Sequence, residues 1–281
     1  MKSIVITGAS TGIGYSTAKY CIEHDMTVFG SVRSQADADR ISKELGSRFI
    51  PLLFDITEEE KVNHAAQQVR EHLQGKKLDG LINNAGMSVA GPLLYMSVQD
   101  FRKQLEINLV GQLIVSKAFI PLLGSDPTLA GEPGKIINIS SVAGKRALPF
   151  MSAYATSKHG LEGFSEGLRR ELMPFGIDVI IIGPGAIKTP IWSKANKAEF
   201  SEEMMHSIYG KAINNLKNLV GKLEKSALPA ESVASLIYSI LNQKHPKVRY
   251  AIVPNKFVHW TIPNLLPKRF IDKIIRKQYG F

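Results

Sequence analysis

"SIVITGASTGIG", residues 3–14, runs from a short β-branched segment straight into glycines at positions 8, 12 and 14. Residues 3–7 read as a buried strand and a helical pattern begins at residue 13, so the glycines fall in a strand-to-helix turn. Lacking a Cβ, such a backbone turns tightly and approaches a pyrophosphate closely, while the helix start offers free N–H groups and a partial positive charge. The spacing is G-x-x-x-G-x-G, not the more common G-x-G-x-x-G, yet it lies where a nucleotide site needs it. A tight turn without a ligand is the plainer alternative.

Outward from this turn the same alternation repeats. Apolar runs "TVFGSV" (27–32), "FIPLLF" (49–54), "LDGLIN" (78–83), "KIINIS" (135–140), "DVIIIG" (178–183) and "RYAIV" (249–253) read as strands buried on both faces. Helical patterns cover 13–24, 36–45, 58–74, 97–121, 152–174 and 230–243, the third with Thr57 as its expected N-cap and Glu60 three residues on. Strands alternating with helices imply parallel pairing through right-handed crossovers. The expected fold is α/β: a Rossmann-like, doubly wound parallel sheet of about seven strands, one domain over residues 1–281.

Composition narrows the function classes. The 281 residues carry one cysteine, Cys21, so no internal disulfide can form; no Cys/His metal spacing occurs, and no metal is expected. The N-terminus lacks the apolar stretch of a signal peptide, and the sequence reads as having no later run of membrane-spanning length. A cytoplasmic location is expected. Net charge is +10, but seven Lys/Arg against one Asp from Arg249 onward supply six of the ten charges. No nucleic-acid-binding signature accompanies them, so no nucleic-acid partner is expected.

In doubly wound sheets, ligands bind beyond the carboxyl ends of the strands. After the second strand stands Arg33, where an NAD-preferring protein would place an acid for the ribose hydroxyls; Arg accepts a 2′-phosphate, which favours NADP(H) and leaves NAD(H) open. Asp55 follows the third strand, where its carboxylate could accept from an adenine amino group. "NNAG" (83–86) follows the fourth and "SSVAG" (140–144) the fifth, with Tyr154 thirteen residues beyond Ser141. Tyr154 and Lys158 are four apart in a helical pattern and so share a face. A nearby ammonium favours the phenolate and would make the phenol a usable acid or base; an ordinary amphipathic helix is the alternative.

These motifs resemble those of the short-chain dehydrogenase/reductase family. The family's T-G-x-x-x-G-x-G appears as Thr7 to Gly14, its N-N-A-G as Asn83 to Gly86, its Asn as Asn108 in "EINLVG", its Ser as Ser141, its Y-x-x-x-K as Tyr154 and Lys158, and its P-G-x-x-x-T as Pro184, Gly185 and Thr189. The resemblance spans residues 1–190. It implies that Tyr154 exchanges a proton with a carbonyl or alcohol oxygen, that Ser141 hydrogen-bonds that oxygen, and that Lys158 lowers the phenol's pKa and holds the nicotinamide ribose. Asn108 would link Lys158 to solvent through a water. The implied cofactor contacts are Gly8, Ser10, Thr11, Gly12, Ile13 and Gly14 in the first turn, Arg33, Asp55 and Ile56, then Asn84, Ala85 and Gly86. Tyr154 and Lys158 would add theirs, followed by Pro184, Gly185, Ile187 and Thr189. Many NADP(H)-preferring relatives have a second basic residue in the glycine loop; here it is Thr11, leaving Arg33 to carry the 2′-phosphate largely alone. Homodimers or homotetramers are also implied. A dinucleotide-sensing regulator that kept the fold and lost catalysis is the rival reading, and the joint presence of the four polar residues speaks against it.

Beyond residue 190 no family-wide motif applies. Residues 190–228 are the expected substrate lid, with Trp192, Phe200, Met204, Met205, Ile208 and Tyr209, and Phe150 and Met151 ahead of Tyr154, available to line an apolar pocket or to pack the lid onto the core. A lipophilic small-molecule ketone or alcohol, steroid-, retinoid- or acyl-like, suits the first reading. Residues 255–281 form a basic amphipathic extension, read as a helix toward its end, whose Phe270, Ile271, Ile274 and Ile275 share a stripe, fit either for peripheral membrane contact or for docking on its own domain or another subunit.

Overall fold

The computed structural model describes residues 1–190 and 200–281. Its centre is a sheet of seven strands, β1 (Ser3–Ile6), β2 (Thr27–Val32), β3 (Phe49–Leu53), β4 (Gly80–Asn83), β5 (Lys135–Ile139), β6 (Asp178–Pro184) and β9 (Arg249–Ile252), in the order β3-β2-β1-β4-β5-β6-β9. Every pairing is parallel. The chain winds outward from β1 through β2 to β3, then returns to the other side of β1 with β4. Crossovers at β1 and β4 thus run to opposite faces, which opens a crevice at the carboxyl ends of those two strands.

Burial on both faces explains the unbroken apolar runs. Along β1, Ile4 and Ile6 join a core with Ala18 and Cys21 of α1 (Gly12–Glu23) and Ile237 and Ile240 of α9 (Glu231–Asn242). Val5, pointing the opposite way, joins Val62 and Val69 of α3 (Glu59–Leu73) and Val115 and Phe119 of α5 (Gly111–Ile120). Cys21 is fully buried, and burial pushes its thiol up to about 12, so it is inert filling.

Three sequence expectations change. Thr57 does not cap α3: its hydroxyl donates to Asp55 Oδ1 at 2.8 Å, and the helix starts at Glu59 after an uncapped Glu58. The pattern at 97–121 is one helical rod over Val98–Ser125, made of α4 (Val98–Leu105) and α5 with π-helical turns at Glu106–Val110 and Pro121–Ser125. That rod is apolar and long enough to cross a membrane, with a mean hydropathy of 1.5. Here it is a layer of the domain, packed on α3 and β4, with Val115 and Phe119 fully buried.

Beyond the anticipated elements, β7 (Ile187–Lys188) pairs with β8 (Leu228–Pro229), and helices α7 (Glu202–His206), α8 (Gly210–Lys225) and α10 (Ile262–Leu265) are added; the anticipated α2 (Gln35–Leu45) and α6 (Ser152–Glu171) lie in the helical layers, and the basic amphipathic C-terminal helix is α11 (Lys268–Tyr279).

Candidate active site

The glycine turn follows β1 as expected. Gly8 and Gly12 adopt φ of 67° and 59°, left-handed values that favour glycine. A Cβ on Gly14 would lie 2.2 Å from the Gly8 carbonyl oxygen and 2.6 Å from Asn84 Nδ2. The loop and the end of β4 are bound together: the backbone N–H groups of Asn84 and Ala85 both donate to Thr7 Oγ1 at 2.9 Å, and Asn84 Nδ2 donates to the carbonyls of Thr7 and Gly8 at 2.9 and 3.1 Å. No side chain caps α1 at Thr11. Its N-terminus therefore presents uncapped N–H groups at the crevice, the arrangement a pyrophosphate fits.

A buried polar ladder fixes the strand ends behind it. Asn83 donates to Asn138 at 2.8 Å and to Ser116 at 3.1 Å, and Asn138 donates to Ser165 at 2.8 Å, which ties β4 and β5 to α5 and α6. Ser141, Tyr154 and Lys158 converge beyond β5. The Ser141 hydroxyl stands by the Tyr154 phenol and acts to lower its pKa, and Lys158 Nζ lies 5.8 Å from the centre of the Tyr154 ring while donating to the Ile139 carbonyl at 2.8 Å. Lys158 is buried and Tyr154 partly so.

The electrostatics differ from the sequence expectation. Burial pushes the Tyr154 phenol above its ordinary range, and the Ser141 hydroxyl opposes it without offsetting it. The lysine yields instead. Burial lowers Lys158 to about 8, against an opposing pull from the Glu162 carboxylate one turn on.

Asn108 lies in the π-helical turn Glu106–Val110 and is fully buried. Its Oδ1 accepts from Met87 N–H at 2.8 Å, and its Nδ2 donates to Met87 O at 2.9 Å and Ser157 Oγ at 3.0 Å. The side chain thereby clamps the segment after Gly86 onto α6, with both hydrogens of its amide engaged in that clamp. A Cβ at Gly86 would stand 3.1 Å from Asn108 Oδ1 and 3.8 Å from Lys158 Nζ, so glycine keeps the space above the lysine clear.

The remaining cofactor candidates border the same crevice. Asp55 accepts from Thr57 and faces Arg33 at 3.9 Å, with Ile56 buried beside it. Pro184 O accepts from Ser141 Oγ at 3.5 Å, and Gly185 N–H donates to Ile252 O at 2.8 Å. Ile187 is buried in β7, and Thr189 would be the nearest neighbour of a Cβ on Gly12, at 3.2 Å. Ser10, Thr11 and Ile13 lie in the loop and first turn of α1.

A family model described as short chain dehydrogenase matches residues 2–200. The chain belongs to the short-chain dehydrogenase family. It is an oxidoreductase of that type. Its relatives include a protein of Ornithobacterium rhinotracheale named NADPH-dependent 3-dehydrocapnine reductase, 35% identical over 277 residues, 99% of this chain and 97% of that protein. Mouse retinol dehydrogenase 16 is 30% identical over 284 residues, 98% of this chain and 87% of the relative. Among solved structures, "ElxO with NADP Bound" superposes with a TM-score of 0.73 at 26% identity, covering 92% of this chain and 98% of that one. A short-chain dehydrogenase from Streptomyces avermitilis shares the fold with a TM-score of 0.76 at 24% identity, covering 98% and 94%.

Two features of this short-chain dehydrogenase escaped sequence reasoning. Arg40 of α2 donates to the Ser10 carbonyl at 3.0 Å while pairing with Asp37 at 2.9 Å. A guanidinium thus touches the glycine loop, from a helix instead of from within the loop, and nothing in the sequence around it signals this. The other is a buried ion pair. Glu162, 4% exposed, accepts from Arg249 Nε at 2.8 Å and Nη2 at 2.9 Å and faces Lys145 at 3.3 Å. Arg249 stacks on Trp260, 4.3 Å from the ring centre, and Arg146 donates to the His259 carbonyl at 2.8 Å. Residues 259 and 260 are thereby tied to the segment that carries Ser141.

The lid residues split. Phe200, Met204, Met205 and Tyr209 pack with Phe150, Ala212, Ile213, Ile275 and Tyr279 in a cluster of their own, as lid packing predicts. Met151 is half-buried just before α6. Ile208 departs from both readings, being 87% exposed; Trp192 lies outside the described residues.

Proposed function

We propose that this protein reduces a ketone on a lipophilic substrate to the secondary alcohol with NADPH. The bound cofactor would supply the hydride. Ser141 would hold the carbonyl oxygen by hydrogen bond and Tyr154 would deliver the proton to it as charge develops. Lys158, protonated below about 8, would stabilise the phenolate left behind. Arg33 and Arg40 would share a 2′-phosphate, which supports NADP(H) over NAD(H); the NADPH-dependent relative supports it too. The carrying observation is the convergence of Ser141, Tyr154 and Lys158 beyond β5, with Lys158 Nζ 5.8 Å from the Tyr154 ring centre.

Burial keeps Tyr154 protonated at rest, which suits it to donate when the reaction runs as a reduction. A lipophilic substrate is supported by the names of relatives that act on retinol and estradiol. We also propose a homo-oligomer built on α4–α5 and α6, where Val110 and Leu113 are exposed and a Cβ on Gly163 or Gly167 would meet open space.

The test follows NADPH absorbance against a panel of long-chain ketones, steroids and retinoids. Tyr154→Phe is expected to lower turnover about a hundredfold or more, and NADH to be the poorer donor. Undiminished turnover in that variant would favour the dinucleotide-sensing regulator, and equal efficiency with NADH would remove the roles given to Arg33 and Arg40.

A further inference from the structure

We propose that residues 256–277 are a docking surface for an anionic lipid bilayer. Apolar side chains stand in solvent along this stretch: Phe257 is 65% exposed, Leu265 78%, Phe270 51% and Ile274 49%. Isolated exposed apolar residues need no explanation, but a run of them within one short segment marks a binding surface.

Helix α11 shows that its own domain does not cover them. Ile275 and the buried Tyr279, four residues apart, face the cluster formed with α8. Phe270 and Ile274, also four apart, leave the helix on another side and remain exposed. The stripe anticipated from sequence is therefore two lines, of which one is satisfied by protein and one is not.

Charge selects the occupant. Lys273 and Lys277 each follow an exposed apolar residue by three positions, so they border the Phe270–Ile274 line. Among the described residues Lys256, Lys268, Lys273 and Lys277 form no ion pair, and the one acid of the segment, Asp272, faces Arg269 at 3.9 Å. A second copy would bring the same positive charge against itself, and an acidic partner would not explain the apolar line. An anionic membrane satisfies both: the apolar residues enter the acyl boundary while lysines reach the headgroups. This inference rests on the surface alone and stands or falls independently of the ketone-reduction reading.

The test is sedimentation of the full chain with phosphatidylserine-containing vesicles and with phosphatidylcholine vesicles, at low and high salt. Binding is expected on the anionic vesicles, weaker by about tenfold or more on neutral ones and at high salt. Phe270→Ser with Ile274→Ser, and separately Lys273→Glu with Lys277→Glu, should each weaken anionic binding by about tenfold or more while the melting temperature stays as in the parent. The charge pair alters only exposed side chains, so it guards against a folding defect in the apolar pair. The inference is overturned if the parent shows no preference for anionic vesicles, or if either variant binds as the parent does. It is also overturned if light scattering shows self-association that the apolar pair abolishes, which would assign the face to a second copy.

Discussion

Lys158 carries an ammonium into a place that disfavours it. Burial lowers it from 10.5 to about 8, and its one hydrogen bond is to the Ile139 carbonyl. Below about 8 the folded and unfolded chains both hold the proton and the full desolvation penalty is present. Between that value and 10.5 the unfolded chain binds more protons than the folded one, so stability from this group rises with pH. Replacing Lys158 with Met should therefore stabilise the cofactor-free protein at neutral pH by about 2 kcal/mol, allowing for the lost hydrogen bond, and this gain should shrink as pH climbs past the folded value. Urea denaturation at several pH values measures it. The residues of this site were legible through their resemblance to the family's motifs; spacing alone put Tyr154 and Lys158 on one helix face and Ser141 at a strand end. Their titration was not legible: adjacency of Tyr154 and Lys158 predicted a lowered phenol pKa, whereas burial, a property of the whole fold, raised it.

Among the elements, the glycine turn and the end of β4 function as one unit. Gly14 is the tightest point, since a methyl group there would strike the Gly8 carbonyl and Asn84. Gly14→Ala should destabilise the protein by about 2 kcal/mol or more and abolish NADPH binding, as followed by denaturant melts and nicotinamide fluorescence. All seven central strands were readable as apolar runs, most plainly β1, β4, β5 and β6, which are covered on both faces. The π-helical turn that holds Asn108 was not, since one such turn inside a long α-helical pattern is too short to set a period of its own. Helices α7 and α8 were likewise missed as helices: their apolar residues pack on Phe150 and Tyr279, which come from distant parts of the chain, so local spacing held little sign of them. Arg40 shows the same limit, as nothing in its neighbourhood along the chain points to Ser10.

The whole molecule turns its α4–α5 and α6 layer outward with Val110 37% and Leu113 43% exposed, next to glycines that leave room for close approach. If this is the subunit interface, Leu113→Glu should halve the mass seen by light scattering, with melts reporting that each subunit stays folded; a monomeric parent protein would refute the proposed oligomer. At this scale the topology was legible, because alternation of strands and helices leaves few ways to wind the sheet. The C-terminal segment was only half legible, since sequence showed one apolar stripe where the fold makes two.

The stacking of Arg249 on Trp260, with Glu162 gripping the same guanidinium, has a practical outcome for anyone trimming the chain. Removing everything after Asn255 would strip the indole from that arginine and loosen the carboxylate that bolsters the protonated lysine. A shortened protein would then be altered at the proposed lipid-facing surface and at the proposed proton donor in a single cut, and its failure would say nothing about which had gone first.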